Sequence, residues 1–284
     1  MKILNVSSLV HTKVVSKKSE IMHRCYRTPG PILTAAHAIG MGLLRSAGVL
    51  SGITRKDDWE KLGYEVKGDF RKKGEITLKR PVENSPSIVT TLWNKSVIDI
   101  KFYNSRDEEL NNLVNNIRYN IQDDGLQPSR QILVLVLGNI YEAMNLENNV
   151  AKKLMNSGFE IFIPSGTRLN QLEPKYPYND PNAFWYEGGI TVSRIHRAKG
   201  NEADMVHIVG LDNIAKNSDN VNLRNQLFVA MTRTRGWVSI SGVGDYPMYD
   251  ELQQVIQSGN TFTFTYNPNH KIKRDMNDDD LLDI

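Results

Sequence analysis

Gly189-Gly-Ile-Thr-Val-Ser-Arg-Ile-His-Arg-Ala-Lys-Gly-Asn-Glu-Ala-Asp-Met-Val-His-Ile-Val-Gly-Leu-Asp212 is the stretch whose reading decides the fold. An apolar strand, Ile190–Ser193, runs into a loop whose polar residues all follow it: Arg194, His196, Arg197, Lys199 and Glu202. A second apolar strand, Met205–Val209, then returns to the core. Open parallel sheets bind ligands in loops at the carboxyl ends of their strands, which is where this pattern puts the polar residues. Gly200 lets the backbone turn tightly or approach a ligand. The basic side chains suit phosphates, and His196 can hydrogen-bond or stack on a nucleotide. A solvated charged loop between two strands explains the same residues, so the loop alone does not decide.

Outward from this stretch, strands and helices alternate. Val97–Phe102 alternates as a strand, and Ser105 is placed to cap the next helix with Glu108 as its capping-box partner. Leu110, Leu113, Val114, Ile117 and Ile121 give that helix one apolar face. Ile132–Leu137 is apolar on both faces, as in a sheet covered on both sides. Helices are expected at about 31–45, 146–156 and 223–232, and further strands at 159–163 and 237–241. The expected fold is α/β: three layers around a mostly parallel sheet, with a small irregular N-terminal insertion of turns and short strands over 46–97. Residues 1–21 are expected to be poorly ordered. Five aspartates among the last ten residues make 271–284 an expected disordered acidic tail.

Composition bounds the rest. The chain has 284 residues, one cysteine, a net charge of +3 and a pI near 8.8. One cysteine, Cys25, forms no internal disulfide and suits a reducing cytoplasm. No second cysteine accompanies the scattered histidines, so no metal site is expected. The longest apolar run is too short to span a bilayer, and no secretory signal is visible. The mild basic charge is compatible with a polyanionic partner.

A second block, Asn225-Gln-Leu-Phe-Val-Ala-Met-Thr-Arg-Thr-Arg235, reads as a helix ending in arginines. A guanidinium fork matches phosphate oxygens, although cations at a helix C-terminus are common for other reasons. The order and spacing of the two blocks resemble motifs V and VI of superfamily 1 helicases of the UvrD/Rep kind. Arg24-Cys-Tyr-Arg-Thr-Pro29 resembles motif IV of the same family. The resemblance runs from about residue 22 to 245, and it implies a second RecA-like domain over 22–270.

It also implies roles. Tyr26 stacks on the base of ATP and Arg27 reaches its γ-phosphate. Glu202 contacts the ribose, with Lys199 and Gly200 shaping the nearby loop. Arg233 is the arginine finger, the one catalytic group. His196, with Arg194, faces single-stranded DNA, although Arg194 departs from the small hydroxyl residue usual there. The family's phosphate-binding loop, Gly-x-x-x-x-Gly-Lys-[Ser/Thr], is missing from these 284 residues. The Mg²⁺ ligands are therefore expected on a separate Walker A/B-bearing RecA-like domain, in cis or in trans. The chain is expected to be a truncated half-motor, inactive alone, from a compact branch lacking UvrD's large accessory subdomain. Two other readings stay open: a non-catalytic module that binds single-stranded nucleic acid or docks on a helicase, and an unrelated nucleotide-binding α/β enzyme.

Overall fold

The computed structural model describes residues 23–164 and 183–270. In chain order the elements are α1 (Gly30–Met41), α2 (Lys56–Lys61), β1 (Glu65–Lys67), β2 (Gly74–Lys79), α3 (Ile88–Leu92), β3 (Ile98–Tyr103), α4 (Arg106–Gln122) and α5 (Pro128–Gln131). There follow β4 (Ile132–Val136), α6 (Ile140–Asn156), β5 (Ile161–Phe162), β6 (Ile190–Arg194), α7 (Ile195–Ala198) and β7 (Ala203–Val209). The last are α8 (Asp212–Ala215), α9 (Val221–Met231), β8 (Thr234–Val243), α10 (Pro247–Gln257) and β9 (Thr261–Tyr266). The expectations for 1–21 and 271–284 fall outside the described residues.

Six strands form one parallel sheet in the order β3-β8-β7-β4-β6-β5. Strand β4 lies inside it and is buried at every position. Its alternation divides the core. Leu133, Leu135 and Leu137 join α1, α9 and α10 on one face, through Ile39, Leu227 and Leu252 among others. Ile132, Val134 and Val136 face Leu113, Ile117, Val150 and Leu154 of α4 and α6 on the other. This is the expected three-layer α/β fold around a parallel sheet, and it explains why β4 reads as a continuous apolar run.

Local signals set the element ends. The Ser105 hydroxyl accepts from the Glu108 amide at 3.2 Å, starting α4. The returning Glu108 carboxylate takes the Asn104 amide, one residue before the cap. Helix α6 starts six residues before the expected Leu146, because Asn139 and Glu142 form a full capping box. Helix α1 stops at Met41, short of the expected Arg45, where Gly42 turns left-handed.

The segment 46–97 contains the short strands expected of it, in an ordered arrangement. β1 and β2 pair antiparallel, and β2 pairs with β9 from the far end of the chain. Thr261–Tyr266 alternates perfectly, with Phe262, Phe264 and Tyr266 inward. Pairing across so long a sequence separation leaves no local signature. That sheet packs on α1 and continues the core of one face.

Two histidines are sealed in this core. His37 of α1 meets the Tyr64 hydroxyl at 2.8 Å, and His207 of β7 donates from Nε2 to Asn120 Oδ1 at 2.9 Å. Burial pushes both down to about 4, with Arg80 adding to the effect on His37. The unfolded chain takes up these protons near pH 6.5, while the native state does so only near 4. Stability is therefore lost as pH falls through that window. At pH 5 each histidine is expected to cost about 2 kcal/mol. Urea unfolding at pH 7.5 and pH 5 measures the loss, and His207→Gln should remove about half of it; an equal loss in that variant contradicts the assignment.

Candidate functional site at the amino edge of the sheet

Three stretches far apart in sequence meet where β7 and β8 begin. The segment 23–29 leads into α1, and α1 packs along α9. At their contact Gly40 leaves room for Phe228, which a Cβ there would approach to 3.1 Å. The Thr28 hydroxyl donates to the Thr232 carbonyl at 3.5 Å, tying the segment to the last turn of α9. That turn is closed by the Thr232 hydroxyl, which donates to Phe228 and Val229 carbonyls. The Ala203 amide donates to the Arg233 carbonyl at 3.0 Å, so Glu202 and Arg233 start adjacent strands side by side. These residues lie at the amino ends of the strands. The carboxyl-end rule located the loop before β7, but the loop crosses the sheet and delivers Glu202 to the opposite edge.

The charges form a chain across this edge. Arg27 Nε lies 3.6 Å from Glu202 Oε2, and Arg235 Nη1 lies 3.8 Å from Glu202 Oε1. Arg235 Nη2 also meets Asp204 Oδ1 at 2.9 Å, and Asp204 Oδ2 accepts from Gln131 at 2.8 Å. Arg233 is half-buried and donates to the Val229 carbonyl at 3.1 Å. Its pKa is lowered by burial and then by Arg27, against an opposing pull from Glu202. Arg27, Glu202 and Arg233 thus share one electrostatic neighbourhood. Three guanidinium groups face two carboxylates there, leaving an excess of one positive charge. Such an edge attracts an anion with several oxygens.

The remaining residues singled out in the sequence divide. Tyr26 is 67% exposed beside this edge, and its hydroxyl raises the Arg24 guanidinium's pKa. Lys199 and Gly200 are exposed. Gly200 has φ +90° with open space where a Cβ would lie, so its conformation rather than a close approach calls for glycine. His196 keeps an accessible ring on α7, and partial desolvation, then Arg194 and Arg197, lower its pKa. Arg194 does not stand free beside it. It lies 3.3 Å from Glu147 of α6, mostly buried, in an ion pair not aligned as a hydrogen bond. A buried carboxylate thus already partners its charge, a contact that the small hydroxyl residue usual at this position would not make.

Sequence reading missed Asp204, Gln131 and the pairing role of Arg235. It also missed a cavity of about 390 Å³ next to Glu202, lined by Arg130, Trp185, Gly200, Asn201 and Arg235. In its wall the Arg130 guanidinium sits 3.7 Å over the Trp185 ring. The Trp185–Glu202 spacing gave no signal of this.

The model of the UvrD-like helicase C-terminal domain matches residues 189–241, which contain β6, β7, α9 and most of β8. Among solved structures, the C-terminal domain of a possible DNA helicase from Lactobacillus plantarum WCFS1 is similar at 14% identity and a TM-score of 0.41. That likeness covers 57% of this chain and 83% of the other. A comparison with curated proteins finds no match. Among the described residues no helix is long and apolar enough to cross a membrane. Over residues 189–241, this chain is similar to the UvrD-like helicase C-terminal domain family.

Proposed function

We propose that this chain is the C-terminal motor domain of an ATP-dependent DNA helicase or translocase and supplies one wall of its nucleotide site. The observation that carries the reading is the meeting of Arg27, Glu202 and Arg233 from three distant segments at one edge. In this reading Arg233 is the finger that stabilises charge on the transferring phosphoryl group. Arg27 approaches the γ-phosphate, releasing Glu202 to hold the ribose. Tyr26 offers an exposed ring to the base, and Lys199 with Gly200 shapes the loop below.

ATP arrives with Mg²⁺, whose ligands and phosphate-binding loop come from a Walker A/B-bearing RecA-like domain. The residues present suit the anionic phosphates, and they leave the metal to that partner. His196 lies toward single-stranded DNA. The work belongs in the cytoplasm, where Cys25 stays reduced. The second reading, a non-catalytic nucleic-acid-binding or helicase-docking module, uses the same surface without a nucleotide.

Photolabelling with an azido-adenine analogue of ATP tests the proposal. Label is expected on the peptide containing Tyr26, reduced at least about tenfold by Arg233→Ala, since one charge-assisted phosphate contact is worth that much. Label elsewhere, or label unchanged in that variant, would sink it. Salt-sensitive DNA binding without any labelling would favour the second reading.

A further inference from the structure

Arg80 is 2% exposed, yet among the described residues no carboxylate pairs with it. Its guanidinium spends its donors on neutral oxygens from several segments. Nε donates to Ser85 Oγ at 2.5 Å and Nη1 to the Leu62 carbonyl at 2.6 Å. Nη2 donates to the Asn84 carbonyl at 2.7 Å and the His23 carbonyl at 3.3 Å. Burying a cation without a counter-charge is costly, so the arrangement is poor as a device for stability alone.

The carbonyls it collects belong to the approach of Tyr26 and Arg27. The Cys25 amide donates to the Asn84 carbonyl at 2.9 Å, and Asn84 Nδ2 donates to the Gly63 carbonyl at 2.8 Å. Gly63, at φ +90°, lets His23 lie against it: a Cβ there would come within 2.3 Å of the His23 carbonyl. Residues 23–25 are therefore strapped to the unit built on β1, β2 and β9, which the Arg80 amide joins through the Asn260 carbonyl at 2.8 Å. A second arm leaves the same guanidinium. It lies over the Tyr64 ring, whose hydroxyl meets His37, and the His37 ring rests 5.3 Å from Phe228 of α9. One buried cation thus touches the segment that leads into Tyr26 and Arg27, and through Tyr64 and His37 it is linked to α9, which ends at Met231 just before Arg233.

We propose that Arg80 is a positioning residue for the nucleotide edge, clamping 23–25 so that Tyr26 and Arg27 are held opposite Arg233. The proposal deepens the reading given above and rests on it for its functional consequence. The small three-stranded sheet is then the anvil of the site.

Cys25, the single cysteine of the chain, reports on the strap directly. The rate of its alkylation by N-ethylmaleimide is compared in the wild-type chain, Arg80→Lys, Asn84→Ala and Val134→Ala. Val134 lies in the other hydrophobic cluster, across the sheet, and controls for general loss of stability. Loss of the charged hydrogen bonds is expected to raise Cys25 reactivity about tenfold in Arg80→Lys and less in Asn84→Ala. Val134→Ala, matched by melting temperature, should leave it unchanged. Azido-nucleotide affinity should fall about tenfold in Arg80→Lys, with full labelling regained at saturation. Equal Cys25 reactivity in Arg80→Lys and Val134→Ala overturns the clamp. A freed Cys25 with unaltered nucleotide affinity overturns the positioning role. If the wild-type chain takes no label, the nucleotide reading fails, while the Cys25 rates still decide the clamp.

Discussion

Arg224→Ala is expected to remove about 4 kcal/mol of stability, the largest loss from any single charged side chain in this fold. Arg224 is 1% exposed on α9 and meets Glu251 of α10 through two parallel bonds of 2.9 and 2.7 Å. It also donates to the Ile39 carbonyl of α1 at 2.6 Å and to the Ser218 carbonyl at 2.5 Å. All three nitrogens of the fork donate, and three helices meet on it. Truncation strands Glu251 as a buried charge and leaves the Ile39 carbonyl without this donor. Removing both charges relieves the first cost, so Arg224→Met with Glu251→Leu should recover much of the loss. Urea unfolding with the slope held constant checks both values. A loss under about 1 kcal/mol for Arg224→Ala would show that the pair is solvated after all.

If Arg233 is the arginine finger proposed above, Arg233→Ala is expected to lower ATP turnover about a thousandfold or more once a Walker A/B-bearing domain completes the site. The physical ground is the state of the side chain. Arg233 is half-buried, its charge disfavoured by burial and by Arg27, and among the described residues it has no ion pair. An incoming phosphoryl oxygen relieves both costs, most strongly as charge builds in the transition state. Arg233→Lys should restore little, because a point charge lacks the planar fork. Arg235 is already engaged by Glu202 and Asp204, and Arg235→Ala should cost far less. Single-turnover kinetics separates these effects on chemistry from effects on binding. Equal losses for Arg233→Ala and Arg235→Ala would deny Arg233 its special role.

Much of this fold is written in short-range pattern. The both-face apolar run at Ile132–Leu137, the Ser105 cap and the helical stripe of α4 are local rules locally obeyed. The start of α6 was equally legible in Asn139 and Glu142, but the exposed Ile140 and Tyr141 obscured a periodicity that becomes regular only at Leu146. What stayed hidden depends on long-range pairing. Nothing in Thr261–Tyr266 names Ile76 and Leu78 as its neighbours. Nothing near Arg80 announces that its partners are backbone carbonyls, which carry no signature in sequence.

The candidate site divides in the same way. Arg27, Glu202 and Arg233 were readable because their spacing resembles a known set of motifs. Which edge of the sheet they occupy was not readable, since a loop can cross from one end of a strand to the other. Arg194 has a partner that no local pattern announces. Its fate is set by Glu147, a residue 47 positions earlier on a different helix.

The central claim is that this chain holds half of a nucleotide site and cannot turn over alone. ATP hydrolysis by the purified chain, with and without single-stranded DNA and beside Arg233→Ala, tests it most directly. No turnover is expected in any of these conditions, and turnover only when a Walker A/B-bearing domain completes the site. DNA-stimulated hydrolysis by the pure chain, lost in Arg233→Ala, would contradict it by revealing a complete site within this chain or between its copies.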